Sequence, residues 1–136
     1  MNRLSAVASA IAIITFATSG HSAAQLRPVL VAGAEISGRM LPGPADVRYR
    51  TRDYGFSAEV GQRLVFTMRS SEFDAHLVVI EEGAPYRVLA TDDDGGGGSD
   101  ARLFFTPSKA GRYVLRAQVV GGDDGGTYTV AMAQAD

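Results

Sequence analysis

Apolar and polar residues alternate one by one through most of this chain. In 34–41, Ile36, Gly38 and Met40 alternate with Glu35, Ser37 and Arg39. In 54–60, Tyr54, Phe56, Ala58 and Val60 share one side. Leu64, Phe66 and Met68 do so in 63–70, Tyr113, Leu115, Ala117 and Val119 in 112–120, and Tyr128, Val130 and Met132 in 127–133. Successive side chains of a strand point to opposite faces, so a period of two marks strands with one buried face. No stretch repeats at the i, i+3, i+4, i+7 spacing of a helix. Segment 75–81 is denser, with Leu77, Val78, Val79 and Ile80, and reads as a central strand covered on both sides. Segments 86–91 and 101–106 bring the strands to about eight. Between them lie turn signals: Pro42-Gly43-Pro44, Gly61-Gln62, Ser70 to Asp74, Glu82 to Pro85, 91–100, Pro107 to Gly111, and Gly121 to Gly126. Gly61-Gln62 predicts a hairpin in which 54–60 and 63–70 are adjacent antiparallel strands. The expected fold is all-β, a single jelly-roll-like antiparallel β-sandwich.

The first 24 residues stand outside that pattern. Arg3 precedes a mostly apolar run from Leu4 to Ala17, and Ser22-Ala23-Ala24 places small residues before Gln25. This is the form of a secretory signal peptide, and the run is short for a membrane span of about 20 residues. The expectation is export to the periplasm or medium, with no stable membrane anchor after cleavage. Residues 25–33 are then a lead-in and 34–136 the domain. The chain has no Cys, so an exported product carries neither disulfides nor a zinc–thiolate site. Its formal net charge of −2 gives no general reason to expect nucleic acid. Arg48, Arg50 and Arg52 would share one side of an extended segment. A solvated face balanced by Asp46 and Asp53 and an anion-binding stripe are both compatible with that spacing.

The densest chemistry lies in Thr91-Asp92-Asp93-Asp94-Gly95-Gly96-Gly97-Gly98-Ser99-Asp100. Glycine takes positive φ without steric cost, so this segment can curl tightly. Carboxylates so close repel one another unless water or a cation screens them. Asp92, Asp93, Asp94 and Asp100 are therefore candidate Ca²⁺ ligands, since Ca²⁺ takes six to eight oxygens from carboxylates, carbonyls and water. A solvated surface loop is the other reading. Asp74 closes the turn that starts at Ser70, where a carboxylate can accept backbone N–H bonds. Asp123 and Asp124 read as a solvated hairpin tip.

Several short motifs in order carry a resemblance. They are Tyr54-Gly55-Phe56, Val60-Gly61-Gln62-Arg63-Leu64, Ser70-Ser71-Glu72-Phe73-Asp74, Thr91 to Asp94, Ser99-Asp100-Ala101-Arg102, Ala110 to Val114, and Gly125 to Val130. Over about Ala34 to Ala133 the chain resembles the bacterial pre-peptidase C-terminal domain, to which the collagen-binding domains of clostridial collagenases are related. The resemblance implies a jelly-roll-like sandwich, usually appended to secreted hydrolases and not itself catalytic. Some such domains bind Ca²⁺, and the collagenase relatives bind collagen. Those with well-formed calcium sites also use acids from the segment leading into the first strand. Here residues 25–33 contain no acid and Glu35 is the first. Collagen-type ligands lie against exposed aromatics. Alternation turns Tyr54, Tyr113 and Tyr128 inward, which leaves Tyr49 and Tyr86 as the candidate ligand surface, with Phe104 less well defined.

Catalysis finds little support. His76 is the single histidine after residue 24. Its neighbours Asp74 and Ser71 lie within one turn and strand, a poor arrangement for aligning a nucleophile, base and orienting acid. Gly-x-Ser-x-Gly and His-Glu-x-x-His are absent, and no glycine-rich segment ends in Gly-Lys-Ser or Gly-Lys-Thr. The expected function is an exported, non-catalytic binding or accessory module acting on a partner protein or an envelope or extracellular polymer. The alternative is a calcium-stabilised structural domain that supports or protects a secreted enzyme encoded elsewhere.

Overall fold

The computed structural model describes residues 27–43, 49–83, 87–120 and 125–135. The proposed signal peptide, Tyr86, Asp123 and Asp124 lie outside the described residues, as does the side chain of Tyr49. Eight strands follow one another: β1 (Glu35–Met40), β2 (Tyr49–Ala58), β3 (Leu64–Arg69), β4 (Asp74–Glu81), β5 (Arg87–Asp92), β6 (Ala101–Phe105), β7 (Gly111–Val120) and β8 (Gly126–Gln134). They form two four-stranded antiparallel sheets. The order is β1-β8-β3-β6 in the first and β2-β7-β4-β5 in the second.

Alternation places the core. Phe56 and Tyr113 enter it from the second sheet, Phe66 and Phe105 from the first. The Phe56 ring lies 4.7 Å from Phe66 and 5.6 Å from Tyr113, centroid to centroid. Leu77, Val79, Leu115, Met68 and Val130 fill the remaining interior. The Tyr113 hydroxyl donates to the Lys109 carbonyl four residues upstream, which satisfies the polar end of a buried ring and fixes the turn before β7.

Three expectations change. Residues 49–58 form one strand, so Arg50 and Arg52 continue the side that carries Tyr54 and Phe56 rather than a separate segment. Strands β2 and β3 are not a hairpin; they belong to different sheets. The turn exists, with Gln62 N–H donating to the Glu59 carbonyl and Gly61 at φ 78°. Gly61 N–H donates to the Pro107 carbonyl, and the chain then passes to the opposite sheet. Alternation specifies which face of a strand is buried, and a strand facing the same core from either sheet shows the same alternation. Val60, predicted inward, is exposed at this crossing. Strand β4 is central, as predicted, and its outer residues Val78 and Ile80 form a small second cluster with Val114 of β7.

The lead-in is part of the fold. Leu30 N–H donates to the Gly55 carbonyl and Gly55 N–H to the Pro28 carbonyl, while Gly33 N–H donates to the Met132 carbonyl. The segment thus ties an edge strand of one sheet to β8 of the other, and Leu30 is 1% exposed between them.

Candidate functional site

Ser70, at the end of β3, is a buried polar residue with every polar group engaged. Its N–H donates to Asp100 Oδ1 and its hydroxyl donates to the Thr127 carbonyl. The same hydroxyl oxygen accepts from Glu72 N–H, and the Ser70 carbonyl accepts from the Ser99 hydroxyl. A buried group left unpaired would cost about 1–3 kcal/mol, so this set of bonds holds one arrangement. It joins the end of β3, the start of β8 and the acidic glycine loop. Glu72 extends it: its Oε2 accepts from both Thr127 N–H and the Thr127 hydroxyl. The bond from the Thr127 backbone is the largest cause holding the Glu72 carboxyl below its ordinary value.

The loop is built by its own backbone. Gly97 N–H donates to the Asp94 carbonyl, Asp100 N–H to the Gly97 carbonyl and Gly96 N–H to the Asp100 carbonyl. Gly97 and Gly98 take φ of 87° and 59°, a region that side chains rarely enter. Of the four predicted ligands, Asp92 accepts from Gly95 N–H and Arg102 N–H, and Asp100 from Ser70 N–H. Asp93 and Asp94 are exposed. Asp74 stands at the first position of β4. The hydrogen bonds of its turn run through Ser70 and Glu72. Burial raises the Asp74 carboxyl above its ordinary value, and the charges of Asp94 and Asp93 raise it further. Among the described residues, no three acidic or histidine side chains converge closely enough to hold a metal ion.

Above Ser70 lies a groove of about 830 Å³. Its sides come from Ser37 and Gly38 of β1, Arg69 to Ser71, Gly97 to Asp100 of the loop, and Thr127 to Thr129 of β8. The groove is shallow and open to solvent. Sequence reading missed the groove because its residues come from three strands and a loop whose adjacency depends on strand order. The lining combines hydroxyls, glycine backbone, one guanidinium and one carboxylate with the apolar surface of the strands and of Tyr128. Beneath it, Tyr128 turns inward and its hydroxyl bonds to that of Tyr54 across the sandwich. Burial, then that bond, holds the Tyr128 hydroxyl far above the usual tyrosine range, so it stays neutral. His76 lies on the outer face of the second sheet with Nδ1 2.6 Å from Gln118 Oε1. Phe104 is exposed on β6.

No family model matches the chain, and no curated protein does either. Solved structures do. The pre-peptidase C-terminal domain of a collagenase from Bacillus anthracis superposes with a TM-score of 0.62 at 16% identity, covering 82% of this chain and 99% of that one. PliG from Aeromonas hydrophila, a periplasmic inhibitor of g-type lysozyme, gives a TM-score of 0.57 at 16% identity, over 80% of this chain and 99% of that one. The PliG of Salmonella Typhimurium gives 0.51 at 17% identity, over 80% and 98%. The fold is that of the pre-peptidase C-terminal domain, as the sequence motifs imply.

Proposed function

We propose that this protein is an exported, non-catalytic binding module that engages a partner protein or an envelope or extracellular polymer through the groove above Ser70. The observation that carries the reading is the groove itself, an open depression whose floor is fixed by the hydrogen-bond set around buried Ser70. Its residues offer no nucleophile paired with a base, which fits binding better than turnover. The comparisons lend support: one neighbour is a domain of a collagenase and two are periplasmic inhibitors of a lysozyme, so sandwiches of this shape serve beside or against enzymes. The test is capture from envelope extract by immobilised protein, with Thr129→Trp filling the groove. Saturable capture by the natural chain that is lost in Thr129→Trp is the expected result. Equal capture by both overturns the reading.

The calcium-stabilised alternative draws on one observation, the mutual repulsion of Asp74, Asp93 and Asp94. A hard cation that drew them together would relieve it. Under that reading, millimolar Ca²⁺ raises the melting temperature and EGTA reverses the rise; an unchanged melt removes it.

A further inference from the structure

The edges of the two sheets are not alike. At the β2 edge, Gly55 is bonded to the lead-in through Pro28 and Leu30. At the β6 edge, Arg102 N–H donates to Asp92 Oδ2. Strand β5 pairs with β4 through a register shift at Val79 and Ile80, an irregularity of the kind that spoils an edge for further pairing. Strand β1 has none of these devices. It runs in unbroken register with β8 from Glu35 to Met40 and contains no proline.

The direction of its backbone groups follows from β8. Gly33 N–H donates to the Met132 carbonyl, so the even-numbered residues of β8 turn their N–H and C=O toward β1. Thr127 points the other way: its carbonyl accepts from the Ser70 hydroxyl, and its N–H donates to Glu72. Ile36, Gly38 and Met40 face even-numbered residues of β8 and bond to them. Glu35, Ser37 and Arg39 therefore turn their N–H and C=O to the open edge, where nothing bonds them among the described residues. Their side chains are exposed on the outer face.

We propose that β1 pairs with β1 of a second copy of this chain, antiparallel about a two-fold axis at Ser37. Register and charge both argue for that occupant. The axis sets Glu35 opposite the partner's Arg39, Ser37 opposite the partner's Ser37, and Arg39 opposite the partner's Glu35. Each such pair exchanges two N–H···O bonds, with Cα atoms about 5.5 Å apart. A slip of one residue sets open groups against groups already bonded to β8, so no bond forms. The charges fit the same register. Neither Glu35 nor Arg39 is in an ion pair among the described residues; Arg39 only adds to the field at Glu72, whose Oε2 is held by Thr127. Glu35 and Arg39 stand about 13 Å apart along one strand, too far to pair within a copy. Across the axis they are direct neighbours, and opposite charges there attract where like charges repel. The first sheet then runs on through the axis into its copy, and the two grooves, each bounded by Ser37 and Gly38, meet there. The inference goes beyond the binding-module reading and does not depend on what the groove holds.

The test is sedimentation velocity of the exported protein across the micromolar range. The natural protein sediments as a concentration-dependent dimer. Glu35→Arg and Arg39→Glu each put like charges across the axis and weaken association at least tenfold. Mixed in equal amounts, the two variants recover it as a heterodimer, because every arginine then faces a glutamate. Ser37→Pro removes only an edge N–H and also gives a monomer. Circular dichroism confirms that each variant folds. A monomer at every concentration, a dimer that either charge variant leaves intact, or no recovery on mixing overturns the proposal. So does a purified protein that stays monomeric while β1 captures a strand of another protein from envelope extract.

Discussion

Gly38 shows how one residue sets the floor of the groove. It sits opposite Tyr128, and a Cβ there would lie 2.4 Å from the tyrosine ring. Only glycine lets that ring cross β1 and reach Tyr54. Gly38→Val therefore forces either the ring or the strand aside and destabilises by about 1–3 kcal/mol, the usual scale of overpacking; urea unfolding measures it, and an unchanged midpoint contradicts the packing described. Two carboxylates nearby act in opposite directions. Glu72 is held below its ordinary 4.5 by the Thr127 bonds, so its contribution is present above that pH and is lost as pH falls through the folded value. Asp74 is held above its ordinary 3.8, so ionising it opposes folding, and its cost grows as pH rises through the folded value. At pH 7, Glu72→Gln lowers the melting temperature and Asp74→Asn raises it, and both differences shrink towards pH 3. Shifts of the same sign, or shifts independent of pH, would contradict these environments.

At the scale of elements, much was legible in the sequence and some was not. Each of the eight strands overlaps a segment that the sequence marks, though β2 starts at Tyr49 and ends at Ala58 rather than spanning 54–60. Strands β1, β3, β7 and β8 are legible because one face is buried and a period of two reports that directly, and β4 because its apolar run is dense. Tyr54, Tyr113 and Tyr128 point inward as their spacing requires. Alternation does not report which sheet a strand joins, and this is why β2 and β3 looked like a hairpin. The same gap hid the groove, since only strand order makes its residues neighbours. The lead-in was hidden for another reason. Its backbone bonds to both sheets come from isolated bridges, which leave no periodic trace, and Leu30 looked like any apolar residue before a strand. Leu30→Ala is expected to cost about 2–5 kcal/mol, as for a fully buried leucine. A loss under about 1 kcal/mol in chemical denaturation would mean that the lead-in is not holding the sheets together.

At the scale of the molecule, β4 and β5 are the one pair of consecutive strands that are also neighbours in a sheet. Every other connection crosses the sandwich, so the two outer faces are each assembled from distant parts of the chain. One face pairs Arg116 with Asp53; the other carries the open groove above Ser70. Under the proposed function the first sheet is the working surface. The direct test is amide chemical-shift mapping of the isotopically labelled protein titrated with the partner captured from envelope extract. Shifts should concentrate on Ser37, Arg39, Arg69, Ser71, Thr127 and Thr129. Shifts concentrated on Asp53, His76 and Arg116, or spread evenly over both sheets, would contradict the account.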